Sequence, residues 1–283
     1  MPATSRLARF FRGGQTSQCS QTETGLLQSG SVNAIIYAAG RATRLGPAFA
    51  ERPKILLEVG GRTLLDWHAE RLAEVGVENL YLVTGHRREQ IAAVLPELSA
   101  KHGLRIYELH NPDFTEGSVV SMHVSLGVLE PSRETVLIMD GDVIYDPELL
   151  RRLVRSRYAS AGLIDFSYRD VDDDPVMVPF REGHPVDFVK QWQGEADRIG
   201  ESVGFFKFAA EHIPALVEKT RRRMAGLSRR DSLDDVLREA VKSGVVGFEE
   251  ITGLPWTEID FPHDLEYARN EVIPALAGRA SAR

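Results

Sequence analysis

With 283 residues, 43% of them hydrophobic and 27% charged, the chain has ordinary globular composition and enough length for one large α/β domain with a sizeable core. No apolar run approaches the roughly 20 residues needed to span a bilayer, and a net charge of -7 argues against a broad nucleic-acid footprint while leaving room for a local basic pocket. The single cysteine, Cys19, excludes an intramolecular disulfide and a cysteine-based metal cluster, so a reducing cytoplasm is the simplest home.

Residues 1–31 are rich in Ser, Thr, Gln and Gly, offer no apolar face to bury, and read as a disordered tail. Residues 32–277 read as one domain and 278–283 as a flexible end. From Val32 onward, buried-type β-branched runs alternate with helical stripes. The strand candidates are 33–38, 79–84, 104–109 and 135–140, each nearly all apolar as doubly covered strands are. Between them Leu64, Leu65, His68, Ala69, Leu72 and Ala73 form one helical stripe, and 88–95 and 118–129 give the next two crossovers. After Tyr145 the pattern becomes strands separated by turns without intervening helices: 162–168, 175–180, 185–192 and 202–209. Helices at about 210–224, 231–243 and 263–276, with a short strand at 256–260, close the chain. The expected architecture is α/β, a Rossmann-like mixed sheet with helices on both faces.

The first strand runs directly into AAGRATRLGPAFAERPK, residues 38–54. A glycine-bearing turn after a buried strand presents backbone N–H groups to phosphate oxygens, and Arg41, Arg44 and Lys54 add the positive charge that a triphosphate needs. Two rival phosphate loops fail on spacing. Ala42 and Leu45 stand where a dinucleotide fold needs its second and third glycines, and Gly46 is followed by Pro47 instead of the Lys of a P-loop.

With Ala38-Ala39-Gly40, then Arg44, then Pro53-Lys54, then LLEVGGRTLLD, the chain resembles the nucleotidyltransferase family that activates sugar phosphates and phospho-alcohols. The resemblance spans roughly residues 32–276 and implies a GT-A-like fold. It also implies that Ala38, Ala39, Gly40 and Arg41 hold the nucleoside triphosphate, that Arg44 and Lys54 stabilise charge on the reacting phosphates, and that Gly85 lies beside the base. Ala42 departs from the family's usual glycine; a positive φ there would cost about 1 kcal/mol.

The strand 135–140 ends in Asp140-Gly141-Asp142, at the carboxyl edge where α/β sheets bind ligands. A second acidic pair, Glu258 and Asp260, follows Trp256. Magnesium favours carboxylates together with phosphate oxygens, and the family resemblance implies that Asp142 and Asp260 jointly hold Mg2+. Asp140 is a weaker candidate, as is Glu258, which is read as pointing to the opposite face from Asp260 if the segment is extended.

On the acceptor side the resemblance implies that Lys190 contacts the acceptor phosphate, and that Asn111 and Ser118 lie beside base and ribose. The stretches around them, with VLIMDGDVIYDPELL, GESVGFFKF and PWTEIDFPHDLEYA, are similar to the phosphocholine and phosphonate cytidylyltransferase branch. This implies transfer of CMP from CTP to a phosphorylated or phosphonylated small alcohol or amine, with release of pyrophosphate. Phe166, Trp192, Phe205 and Trp256 are the aromatics available for a choline cage, and Asp165 and Glu201 are the acids available for an amine or hydroxyl. A sugar-1-phosphate nucleotidyltransferase using UTP is the alternative, and a nucleotide-binding regulatory subunit without chemistry is the non-enzyme alternative. The partners expected are therefore an NTP and a small phosphate or phosphonate, with no nucleic acid and no membrane span; a homodimer is compatible with all of this.

Overall fold

The fold was obtained as a computed structural model that describes residues 32–167, 175–226 and 230–281. The tail reading, the DVDDDP turn from Asp170 to Asp174, Arg229 and the last two residues lie outside these. The elements in chain order are β1 (Val32–Ala38), three single 3-10 turns (Thr43–Leu45, Pro47–Phe49 and Lys54–Leu56), and a small hairpin of β2 (Glu58–Val59) and β3 (Arg62–Thr63). Next come α1 (Leu64–Glu74), β4 (Val77–Thr84), α2 (Arg88–His102), β5 (Arg105–His110), α3 (Val119–Val124), α4 (Leu126–Leu129), β6 (Thr135–Asp140) and β7 (Val143–Tyr145). The second half holds α5 (Glu148–Arg155), β8 (Ser160–Asp165), β9 (Met177–Arg181), β10 (His184–Pro185), β11 (Arg198–Phe208), α6 (Ile213–Ala225), α7 (Leu233–Lys242) and β12 (Val246–Glu250). It ends with β13 (Trp256–Glu258), α8 (Pro262–Tyr267), a π-helical turn (Ala268–Val272) and α9 (Ile273–Ser281).

The main sheet runs β10-β9-β11-β6-β1-β4-β5, with β8 bridging β11 and β12. β1 pairs in parallel with β4 and β6, and β4 with β5, whereas β11 runs antiparallel to β6, β8 and β9. The sheet is therefore mixed: parallel through β5, β4, β1 and β6, antiparallel around β11, and parallel again where β12 joins β8. Both faces are covered: alternate β1 residues Ala34 and Ile36 enter a core with α1, α2, α5 and α9, while Ile35 enters a second core with α3, α6 and α7. No helix among the described residues is long and apolar enough to cross a membrane.

Three elements differ from the sequence reading. Helix α5 lies between Tyr145 and β8, where only strands and turns are expected; Leu149, Leu150 and Leu153 make its buried stripe, while Arg151 and Arg152 face Glu74 and the Glu250 carbonyl. The expected strand 185–192 exists only as the His184–Pro185 pairing and one bridge from Val189 to Met177. Pro185 has no N–H to donate, and Asp187 accepts from the Phe188 N–H at 2.8 Å and pairs with Arg238, which diverts that segment from a ladder. The terminal helix continues past residue 277, through Ser281, after the π-turn.

Candidate active site

The carboxyl ends of β1 and β6 sit side by side in the parallel sheet, with Tyr37 opposite Asp140. The chain leaving β1 and the turn leaving β6 must therefore diverge above the same edge, and the crevice they leave is the ligand position of open α/β sheets. It is a cavity of about 400 Å3. Ala39, Gly40, Arg41 and Arg44 form one wall, and Asp140, Asp142 and Asp260 another, with Lys54 between them and Lys190 and Ser118 at the rim.

The loop 39–54 is shaped by its three 3-10 turns and by the bridge of Arg41 to Pro53, which doubles the chain back so that Lys54 returns to the sheet edge. Ala42 has φ -83, so alanine adopts this loop without strain and the penalty considered from the sequence does not arise. A Cβ on Gly40 would meet no protein atom within 4 Å, so the protein's own packing does not demand glycine there. Gly85 is different. A Cβ there would fall 2.4 Å from the Phe114 Cβ and 2.8 Å from the Ala39 carbonyl, so this buried glycine lets the β4 turn support the phosphate loop from behind. Arg41 in turn stacks on Phe114, 5.3 Å from the ring centroid.

Lys54 binds Asp142 at 2.6 Å and also Asp260, and Arg44 reaches Asp260 at 3.0 Å. Carboxylate oxygens of Asp142, Glu258 and Asp260 all lie within 4.8 Å of one another. Glu258 corrects the sequence reading, because positions two apart on an extended chain share a face. β7 and β13 pair antiparallel with Val143 opposite Glu258, and the Ile259 N–H donates to the Asp142 carbonyl at 3.0 Å. These two bonds bring an acid from residue 142 against acids from 258 and 260. Asp264 fixes the end of the segment by accepting from the N–H groups of Asp260 and Phe261 at 3.0 and 2.8 Å.

The electrostatics follow from this crowding. Burial alone would lower the Lys54 ammonium, but Asp142, Asp260 and Glu258 outweigh it and hold its pKa above the usual lysine value. Burial, then the Asp142 charge, raises Glu258 well above the usual carboxylate range. Asp140 is raised well above that range by burial and then by Asp142 and Asp234. Asp260 goes the other way: burial would raise it, and the charges of Lys54 and Arg44 more than compensate. The three carboxylates fit a divalent cation, since they come from three points of two paired strands, and the buried Asp142 Oδ1 has no hydrogen-bond partner among the described residues.

Not every residue expected at the site reaches the cavity. Ala38 ends β1 in the core, Gly85 packs beneath Phe114, and Asn111 is fully buried. The Asn111 side chain donates to the Ser121 hydroxyl at 3.0 Å and accepts from the Asp113 N–H, so it shapes the wall while Ser121 lines it. Ser118 lines the cavity and accepts from the Leu233 N–H at 2.7 Å, tying α3 to the start of α7. Lys190 lies at the cavity in an irregular segment instead of a strand. Sequence reading missed Gly204 and Asp234. Gly204 has φ +75, within an irregularity of β11, and its missing Cβ makes room for the Asp140 carboxylate; a glycine between Val203 and Phe205, inside a strand, is the signal the sequence offers for it.

Glu258 also borders a second cavity, of about 350 Å3, whose walls include Asp165, Glu201, Trp256 and Tyr267. Asp165 and Glu201 are both buried and face each other across the β8–β11 pairing, and the Trp256 indole N–H donates to Asp165 at 2.8 Å. Of the four aromatics considered for a cage, Trp256 alone lines this space. Phe205 is fully buried against Tyr145, Phe166 packs on Phe180 and Arg198, and Trp192 stands elsewhere with its indole nitrogen buried.

Residues 34–240 match the family model of the MobA-like NTP transferase domain. The chain belongs to this family. Among curated relatives, CMP-5'-(3-aminopropyl)phosphonate synthase of Streptomyces rubellomurinus is 30% identical over 247 residues, covering 84% of this chain and 38% of that protein. The bifunctional IPC transferase and DIPP synthase of Rubrobacter xylanophilus is 33% identical over 248 residues, covering 86% of this chain and 52% of that protein. The chain thus spans only 38% and 52% of the length of these two relatives. The fold of this NTP transferase domain is that of the inositol-1-phosphate CTP transferase from T. maritima, with a TM-score of 0.68 at 20% identity over 87% of this chain and 99% of the other. The MobA-like domain accounts for the phosphate loop, the first acidic turn and the crossover helices, while β13 with Glu258 and Asp260 lies beyond the matched residues.

Proposed function

We propose that the chain transfers CMP from CTP to a small phosphate or phosphonate, releasing pyrophosphate. The observation that carries this reading is the convergence of Arg44, Lys54, Asp142, Glu258 and Asp260 at the mouth of the phosphate loop. In the reaction an acceptor oxygen forms a bond to the α-phosphorus as the bond to the bridging oxygen of pyrophosphate breaks. No covalent enzyme intermediate is required, so catalysis consists of positioning and charge stabilisation. Mg2+ held by Asp142, Glu258 and Asp260 would supply a Lewis acid to the phosphate oxygens. Arg41, Arg44 and Lys54 neutralise the triphosphate, the backbone of Ala39 and Gly40 approaches it, and Lys190 orients the acceptor phosphate.

The second cavity supports an acceptor whose far end carries an amine. It lies on the other side of Glu258 and offers two buried carboxylates beside Trp256 and Tyr267, a lining suited to a cationic group. The relative from Streptomyces rubellomurinus, a CMP-5'-(3-aminopropyl)phosphonate synthase, supports the same reading. The test is a matrix of four nucleoside triphosphates against aminoalkylphosphonates, phosphoethanolamine, phosphocholine, polyol phosphates and sugar 1-phosphates, read by pyrophosphate release. A buried polar group left unpaired by the wrong pyrimidine costs about 1–3 kcal/mol, so kcat/KM for CTP should exceed that for UTP by about tenfold to a hundredfold. Equal values, or a preference for UTP with a sugar phosphate, would move the chain to the sugar-nucleotide branch. No pyrophosphate with any pair would favour the regulatory-subunit reading.

A further inference from the structure

Away from the phosphate pocket, a cavity of about 520 Å3 opens between α1, the start of α5 and α9. Its walls carry Trp67, Arg71, Arg151, Leu276, Ala277 and Arg279. Arg71 is only 3% exposed, and its Nη1 is buried with no hydrogen-bond partner among the described residues. Its guanidinium instead stacks on two rings, 4.6 Å from the Trp67 centroid and 4.6 Å from that of Tyr145.

The acids around it are already committed to other cations. Glu70 accepts from Arg62 at 2.8 Å, Glu74 from Arg151 at 2.8 Å, and Asp146 from Arg279 at 2.7 Å. Glu70 and Asp146 act on Arg71 through their charge alone; among the described residues its direct partners are the two rings, and no carboxylate is hydrogen-bonded to it. A buried charge whose hydrogen-bonding groups are left unpartnered is costly even with counter-charges nearby. The planar guanidinium is also the side chain best shaped for two parallel bonds to a carboxylate or phosphate. Glu70, Glu74 and Asp146 also line the cavity, each held by the guanidinium named above, and Trp67, Ile273, Leu276 and Ala277 give it an apolar side.

We propose that this cavity is a second binding site, for a small organic anion: an oxyanion head against Arg71 and a short apolar body along α9. The site is separate from the transfer chemistry and does not depend on it. It lies close to that chemistry through Tyr145, which receives the Arg71 stack, meets His68 Nδ1 at 3.2 Å and pairs opposite Trp256 at the end of the strand that follows Asp142.

The experiment is calorimetric titration of the full chain, in chloride-poor buffer with EDTA, with butyrate and separately with ethyl phosphate. Saturable binding of at least one probe with a Kd below about 1 mM is expected. A response to butyrate alone assigns a carboxylate ligand, and a response to ethyl phosphate alone assigns a phosphate ester. Arg71→Gln should weaken binding by about tenfold or more. Ala277→Phe, placed on the exposed side of α9 so that the fold is kept, should do the same by filling the cavity, and it decides the matter should Arg71→Gln fail to fold. Lys190→Ala should leave the affinity unchanged. The proposal is overturned if neither probe binds, if binding survives Ala277→Phe and Arg71→Gln, or if Lys190→Ala removes it, which would place the anion in the phosphate pocket.

Discussion

His68 should make this protein acid-sensitive in a way that a single substitution isolates. Its imidazole is fully buried on α1, with rings of Tyr145 and Phe205 beside it. Burial first, and the nearby Arg71 charge second, lower its pKa from 6.5 to about 3. The unfolded chain binds a proton near pH 6.5 that the folded chain refuses until about pH 3, so the native state loses stability as pH falls through this window. Above pH 6.5 the full contribution is present, and below about pH 3 it is gone. At pH 5 the unfolded histidine is about 1.5 pH units into its protonated range, and the loss relative to pH 8 is about 2 kcal/mol. For a chain of this size that is on the order of 4–8 °C in Tm. Equilibrium denaturation of wild type and His68→Gln at pH 8 and pH 5 provides the assay. The variant is expected to be less stable at pH 8, having lost the contact to Tyr145, but to lose about 2 kcal/mol less than wild type on acidification. Carboxylates that titrate in the same range are common to both proteins and cancel in the difference. A gap between the two proteins that is the same at both pH values would refute the reasoning.

Other outcomes follow from the site. Asp142→Asn, Glu258→Gln and Asp260→Asn should each lower pyrophosphate release by about a hundredfold or more at saturating magnesium, with unchanged circular dichroism; a variant with near wild-type turnover would remove that residue from the ligand set. Gly204→Ala places a Cβ 2.0 Å from Asp140 Oδ2 at φ +75, so it should lose about 1–3 kcal/mol of stability and also activity. An unchanged Tm would show that β11 relaxes there. Lys190→Ala should raise the KM for the acceptor several-fold or more while leaving that for CTP nearly unchanged, and a rise confined to CTP would reassign the lysine.

The first half of the fold is readable along the chain because each unit states its own period. The runs ending at Ala38, Thr84 and Asp140 are mostly apolar on both alternating faces because helices cover both faces of the sheet, and the stripes of α1 and α7 repeat at helical spacing. The phosphate loop is readable for the same local reason: a glycine turn directly after a buried strand, followed by Arg44 and Lys54, declares its chemistry within 17 residues. Past Tyr145 the local signals thin out. The segment 185–192 has strand-like composition, yet Pro185 and the Asp187 pair with Arg238 keep it from a ladder, and that pair spans 51 residues. The meeting of Asp142 with Glu258 and Asp260 belongs to tertiary structure alone. It rests on the register of β7 against β13 and on one hydrogen bond between Ile259 and Asp142, made between residues more than a hundred positions apart. Side-chain chemistry and local periodicity are written in order along a chain, whereas the pairing that brings Asp142 onto the distant pair Glu258 and Asp260 is chosen by the packing of the whole domain.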